Sequence, residues 1–167
     1  MMKKYFYLIM LLGAVSCSST KRSVMQNQDN TIHAIRLRPG EDLRTSIQKF
    51  VNDNHIKAGW IISCAGSLVN YNIRFANQQE GNKGAGHFEI VSLSGTLSVN
   101  GSHIHLSISD STGKTIGGHL LEGCIVYTTA EIIIGESKKL VFKREKDGTT
   151  PWNELQIEKK RLMLPLH

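Results

Sequence analysis

FEIVSLSGTLSVNGSHIHLSIS, Phe88–Ser109, holds two alternating runs on either side of Asn100-Gly101. Asn-Gly between alternating runs is the strongest short-range hairpin signal, because both residues tolerate the positive φ of a tight type I′ turn. A two-residue turn there pairs Val99 with Ser102 and sets the register below it. Ser98 then stands opposite His103, Leu97 opposite Ile104, Thr96 opposite His105 and Leu93 opposite Ile108. Side chains alternate faces along a strand. One face therefore carries Leu93, Leu97, Val99, Ile104, Leu106 and Ile108; the other carries Ser94, Thr96, Ser98, His103, His105 and Ser107. The two strands agree on an apolar and a polar face under a register set by the turn alone. This hairpin is the organising unit of an antiparallel sheet.

His103 and His105 share one face of one strand, with Cα atoms ~6.5–7 Å apart. Imidazoles at that spacing can lean toward one ion at metal–nitrogen distances of ~2.0–2.1 Å. His119 is the natural third ligand. It follows Gly117-Gly118, where backbones can approach without a Cβ between them, and the turn Asp110–Lys114 folds its strand back beside the first. Three protein ligands leave a position for water or a substrate oxygen. The competing reading is a solvent-exposed polar face on which the histidines are incidental. His33, His55, His87 and His167 read as surface or loop residues, with His87 a remote fourth candidate. Glu89 and Glu122 flank the same strands and are candidate acid/base partners, although each alone reads as an ordinary strand-end carboxylate. Neutral imidazoles suit zinc, and also nickel, copper or iron.

Upstream, IHAIRLRPG alternates Ile35 and Leu37 against Arg36 and Arg38, a strand ended by Pro39-Gly40. Glu41 and Asp42 then place acid in the first turn of a helix. Leu43, Ile47, Phe50 and Val51 continue it at helical spacing, until NDNHIKAG ends it. GWIISCAGSL reads as a strand buried on both faces, and VNYNIRFAN alternates again. Gln78–Gly86 is glycine-rich and reads as a mobile loop with no phosphate-cradle motif. Downstream, CIVYTTAEIIIG, rich in β-branched residues, is a central strand, and LVFKRE is the last clear one. The sum is an α+β domain over residues 31–157, with one long helix near the N-terminus and about seven mainly antiparallel strands.

The chain has 167 residues, enough for one domain with tails. Lys3 and Lys4 precede an uncharged apolar run, Tyr5–Val15, of 11 residues. A bilayer needs ~20, so the run fits a secretory signal. AVSC, Ala14–Cys17, resembles the lipobox of bacterial lipoproteins, with Ala14 where leucine is usual. That likeness implies a signal peptide over 1–16, lipidation at Cys17 and a polar tether over 17–30, with 158–167 a C-terminal tail. Two or more acyl chains hold a protein stably on a membrane. Loss of Lys3 and Lys4 with the signal lowers the formal charge from +6 to +4, an excess that ordinary solubility explains. Cys64 and Cys124 lie in apolar contexts and read equally as a disulfide or as two buried thiols.

LRPGEDLRTSIQKFVNDNHIKAGWIISCAGSL, GHFEIVSLSGTLS, HIHLSISDSTGKTIGGHLLEGCIVYTTAEIII and FKREKDGTTPWNEL resemble successive segments of the PPC (plants and prokaryotes conserved) domain, over residues 32–157. The resemblance implies a homotrimer with a large antiparallel sheet and a three-histidine metal site at His103, His105 and His119. The family is often labelled DNA-binding, but in its plant members that activity rests on an Arg-Gly-Arg-Pro core that this sequence lacks. The expected protein is thus an exported, lipid-anchored trimer on the periplasmic side of a bacterial envelope, holding a divalent metal, with zinc favoured. Its partners would be itself, the membrane and a small-molecule ligand. A DNA-binding regulator is the alternative.

Overall fold

The structure, a computed structural model, describes residues 29–160. Cys17, the signal segment and the last seven residues lie outside that range. The elements run β1 (Asn30–Leu37), α1 (Leu43–Asp53), β2 (Gly59–Arg74), β3 (Asn82–Leu97), β4 (His103–Ser109), β5 (Thr115–Leu120), β6 (Ile125–Ser137), β7 (Leu140–Glu145) and β8 (Glu154–Lys159). Six strands form one antiparallel sheet in the order β1-β6-β2-β3-β4-β5, and β7 and β8 form a separate hairpin. GWIISCAGSL and VNYNIRFAN merge into a single 16-residue strand, β2. The tail supplies β8, which the sequence reading leaves unassigned.

The sheet closes on itself. At its C-terminal end β2 leaves β6 and pairs instead with β5, Ile73 opposite Leu120 and Arg74 opposite His119. The circuit β2–β3–β4–β5–β2 is then complete. Gly118 permits it: a Cβ there would lie 2.5 Å from the Arg74 carbonyl oxygen and 3.0 Å from the Ile73 side chain. Inside, Leu93, Leu97, Ile104, Leu106, Ile108 and Leu120 are buried with Leu68 and Ile73 of β2. Leu43, Ile47 and Val51 of α1, at fourfold spacing, join the same core.

α1 is 11 residues long, shorter than the expected long helix. No acid occupies its first turn; Asp42 is the N-cap, accepting a 2.8 Å bond from the Thr45 amide. Asp42 also accepts from the Gly123 amide at 2.6 Å, tying the helix start to the turn between β5 and β6. A carboxylate at the N-cap satisfies donors that the helix itself leaves free. Gln78–Gly86 is not wholly a loop, since β3 begins at Asn82 and pairs back to Ile73. Gly84 makes room there for the Tyr71 ring, whose carbon would stand 2.5 Å from a Cβ. β2 is not buried on both faces: Ile62 is 49% exposed in the single chain.

The β3–β4 register differs from the expected one by two residues. Thr96 faces His103, Gly95 faces Ile104 and Ser94 faces His105. The reason is tertiary. Ser98 is fully buried, with its hydroxyl 3.0 Å from the Lys57 carbonyl and 2.9 Å from that of Phe142. The Val99 amide bonds to the Ile56 carbonyl at 2.9 Å. These bonds draw Ser98 and Val99 out of the ladder, and a wider turn closes through the Gly101 amide to the Ser98 carbonyl. Val99, expected on the apolar face, is 37% exposed. A shift of two keeps the side chains of Ser92–Leu97 on their expected faces, and a bulge between Ile90 and Ser92 adds one more residue below them. β3 and β4 meet so closely that a Cβ on Gly95 would lie 2.2 Å from the His103 carbonyl oxygen. Gly95→Ala is therefore expected to destabilise the fold by about 1–3 kcal/mol through overpacking, read from the midpoint of urea unfolding.

Candidate metal centre

The register puts three imidazoles together. His103 and His105 project from the same face of β4, and β5 sets His119 directly opposite His105. Ring centroids are 4.9 Å apart for His103–His105, 4.9 Å for His103–His119 and 5.7 Å for His105–His119. The His103 and His105 Nε2 atoms lie 3.1 Å apart. One ligating atom from each residue falls within 4.8 Å of the other two. A tetrahedral ion with bonds of ~2.0–2.1 Å spaces its nitrogens ~3.3–3.4 Å apart, close to the His103–His105 separation, so binding would draw the third ring inward. The two glycines before His119 act as the sequence suggests. A Cβ on Gly117 would strike the Ser107 hydroxyl at 2.4 Å, and Gly118 allows the contact with β2 described above.

The surroundings of His103 and His119 favour their neutral forms. His119 is pushed down to about 4, first by burial, then by His103, Arg74 and His105 nearby. His103 is also lowered, by burial, then by Arg144 and His105, with Glu154 acting weakly the other way. Neutral imidazole is the form that ligates a metal. His103, His105 and His119 therefore fit a divalent cation by donor type and number, and the lowered His103 and His119 favour the ligating form. Three protein donors would leave a bound ion room for a further ligand, and all three histidines line one cavity.

That cavity, of about 770 Å³, is lined by the three histidines, by Asn100 and Gly101 of the β3–β4 turn, and by Arg74 at the end of β2. Arg144 of β7, Trp152 of the β7–β8 connection and Glu154 at the start of β8 also line it. The sequence reading does not reach Arg74, Arg144, Trp152 or Glu154. Their one visible sign is Pro151-Trp152, a large aromatic in a polar segment. Glu89 and Glu122 stand elsewhere. Glu89 is exposed and pairs with Ser109 at the far end of β4. Glu122 is exposed in the turn after β5, where its carbonyl accepts from Asn72. His87 packs on Tyr127 with ring centroids 4.3 Å apart, outside the histidine cluster. Cys64 and Cys124 are free thiols, both pushed up to about 11 by burial.

The strand order and the histidine cluster define a sheet protein built around a candidate metal-binding cleft. Residues 25–138 match the Plants and Prokaryotes Conserved (PCC) domain, and the chain belongs to that family. A hypothetical protein from Salmonella enterica has the same fold at a TM-score of 0.78 and 39% identity, over 79% of this chain and 96% of the other. A metal-containing protein from Archaeoglobus fulgidus aligns with a TM-score of 0.64 and 26% identity, covering 75% and 93%. Among curated relatives, bifunctional protein GlmU of Synechococcus is 41% identical over 128 residues, 77% of this chain but 21% of that protein. AT-hook motif nuclear-localized protein 13 of Arabidopsis thaliana is 30% identical over 116 residues, 63% of this chain and 26% of the other. The chain spans about a fifth of the length of the GlmU proteins it matches.

The lowered histidines make the metal-free fold acid-sensitive. The unfolded chain takes up protons near the ordinary histidine range of ~6.5, whereas His119 in the fold waits until about 4. The unfolded state thus binds more protons between those values, and stability falls as pH falls through that window. Urea unfolding of chelator-treated protein is expected to show a steeper loss between pH 6.5 and 4.5 for wild type than for His119→Gln.

Proposed function

We propose that the chain binds a divalent metal, with zinc favoured, through His103, His105 and His119, and presents its open coordination position to a small-molecule ligand in the adjoining cavity. The convergence of three ligating atoms within 4.8 Å carries this reading. The A. fulgidus relative, described as metal-containing, supports it. When bound, such an ion supplies Lewis acidity toward a ligand oxygen. The protein's part is to hold three imidazole nitrogens in place and shape the cavity. Glu89 and Glu122 enter acid/base chemistry only if a second copy brings them to that cavity, which Glu89→Gln and Glu122→Gln would expose.

The same reading places the protein in the bacterial envelope. The Lys3-Lys4 and Tyr5–Val15 pattern with Cys17 supports export and lipidation toward the periplasmic side. A homotrimer is favoured by apolar side chains that point away from the core: Ile62, Val91 and Tyr127 are 49%, 58% and 44% exposed on the adjacent strands β2, β3 and β6. A DNA-binding regulator is the second reading, favoured by the likeness to the Arabidopsis protein and a pI near 9.3. A salt-sensitive shift of duplex DNA by unlipidated cytosolic protein would support it over the first.

Metal analysis of purified protein is expected to find about one ion per chain in wild type, a number set by one three-ligand site, and background levels in His103→Ala and His105→Ala. Equal content in all three would end the metal reading. Light scattering is expected to give three chains per particle for wild type and fewer for Ile62→Glu, which places charge on the exposed apolar face.

A further inference from the structure

The cavity beside the histidines is lined by two arginines that form no close ion pair among the described residues, and we propose that Arg144 and Arg74 bind the carboxylate or phosphate group of a small-molecule ligand there. This deepens the histidine-site reading by naming the chemistry of what the cavity takes. It rests on that reading only for the cavity's role, because the arginines belong to other elements.

Arg74 ends β2 and Arg144 lies within β7, yet both border one cavity of about 770 Å³. That volume suits a metabolite-sized ligand. Apart from the histidines, the charged lining is Arg74, Arg144 and Glu154, two positive against one negative. Among the described residues neither guanidinium has a carboxylate oxygen within 4.0 Å; the ion pairs involve lysines and His33 instead. A bound cation would add to the same excess.

Arg144 is held in place. Its Nη2 donates to the Thr96 hydroxyl on β3, and its stem packs on Gly101, where a Cβ would lie 3.3 Å from the arginine Cγ. Its Nε is buried without an acceptor. Burial lowers its pKa, and Glu154 offsets this only in part. A fixed, partly desolvated guanidinium with incomplete bonding is a strong site for a planar oxyanion, because charge-assisted bonds gain where water is excluded. Arg74 lies over the Trp152 ring at 5.4 Å and donates to the Gln78 carbonyl at 3.3 Å. The indole limits its movement and gives the cavity an apolar wall. The site thus offers two cationic donors, an aromatic surface and, in the same space, the histidine cluster.

The test is calorimetric titration of the full chain, metal-free and zinc-loaded, with inorganic phosphate, acetate and benzoate, using chloride at matched ionic strength as control. Saturable binding is expected for phosphate or a carboxylate in wild type, weakened about tenfold or more in Arg144→Gln and Arg74→Gln. Arg144→Lys should recover part of the loss by restoring charge without the fork. Phosphate alone or carboxylate alone names the ligand group, and both support the proposal. The two positions lie on different elements, so misfolding of one variant leaves the other informative. No saturable binding above chloride, or equal binding by wild type and both glutamine variants, overturns the proposal. Zinc stoichiometry, measured in parallel, is expected to stay unchanged in the arginine variants. Zinc without oxyanion binding defeats this proposal alone, and oxyanion without zinc binding defeats the metal reading alone.

Discussion

The short pairing of β2 with β5 governs this molecule. Only two residue pairs form it, Ile73–Leu120 and Arg74–His119. Without it the six-stranded sheet would be open, with β5 a free edge. With it, the strand bearing His119 is held from both sides, by β4 and by β2. The same pairing aligns Arg74 with His119, so closure of the sheet and assembly of the cleft are one event. The absence of a side chain at Gly118 is its precondition.

The histidine face is legible in the sequence because its geometry depends on parity rather than on register. The Asn100-Gly101 signal suggests a tight turn, but Ser98 prefers the carbonyls of Lys57 and Phe142, and the pairing shifts by two. A shift of one would have set His103 and His105 against the opposite parity of β3; a shift of two does not. His119 was accessible for a similar reason, since glycines mark places where two backbones nearly touch. The alternation of Ile35 and Leu37 and the spacing of Leu43, Ile47 and Val51 report burial directly, and β1 and α1 follow them.

What the sequence hides is whatever closure and the tail bring from far away. Arg74 reads as one more polar residue on an alternating strand until β5 arrives beside it. Arg144 reads as part of the charged run Lys143–Lys146, and nothing local distinguishes it from its neighbours. Its role depends on Thr96, 48 positions earlier. The continuity of β2 is hidden too, because the apolar run gives way to alternation after Leu68, as if one strand ended and another began. Gly66, inside that strand, lets β2 press on β6, where a Cβ would lie 2.2 Å from the Thr129 carbonyl oxygen.

The two interior sulfurs carry a separate consequence. Cys64 and Cys124 stay protonated far into alkaline conditions, since burial pushes both up to about 11. The Cys124 sulfur also takes part in bonds with the Asn72 backbone. Nucleophilic attack by sulfur requires the ionised form. These side chains are therefore weak nucleophiles at neutral pH, and the described domain is held together without a disulfide between them.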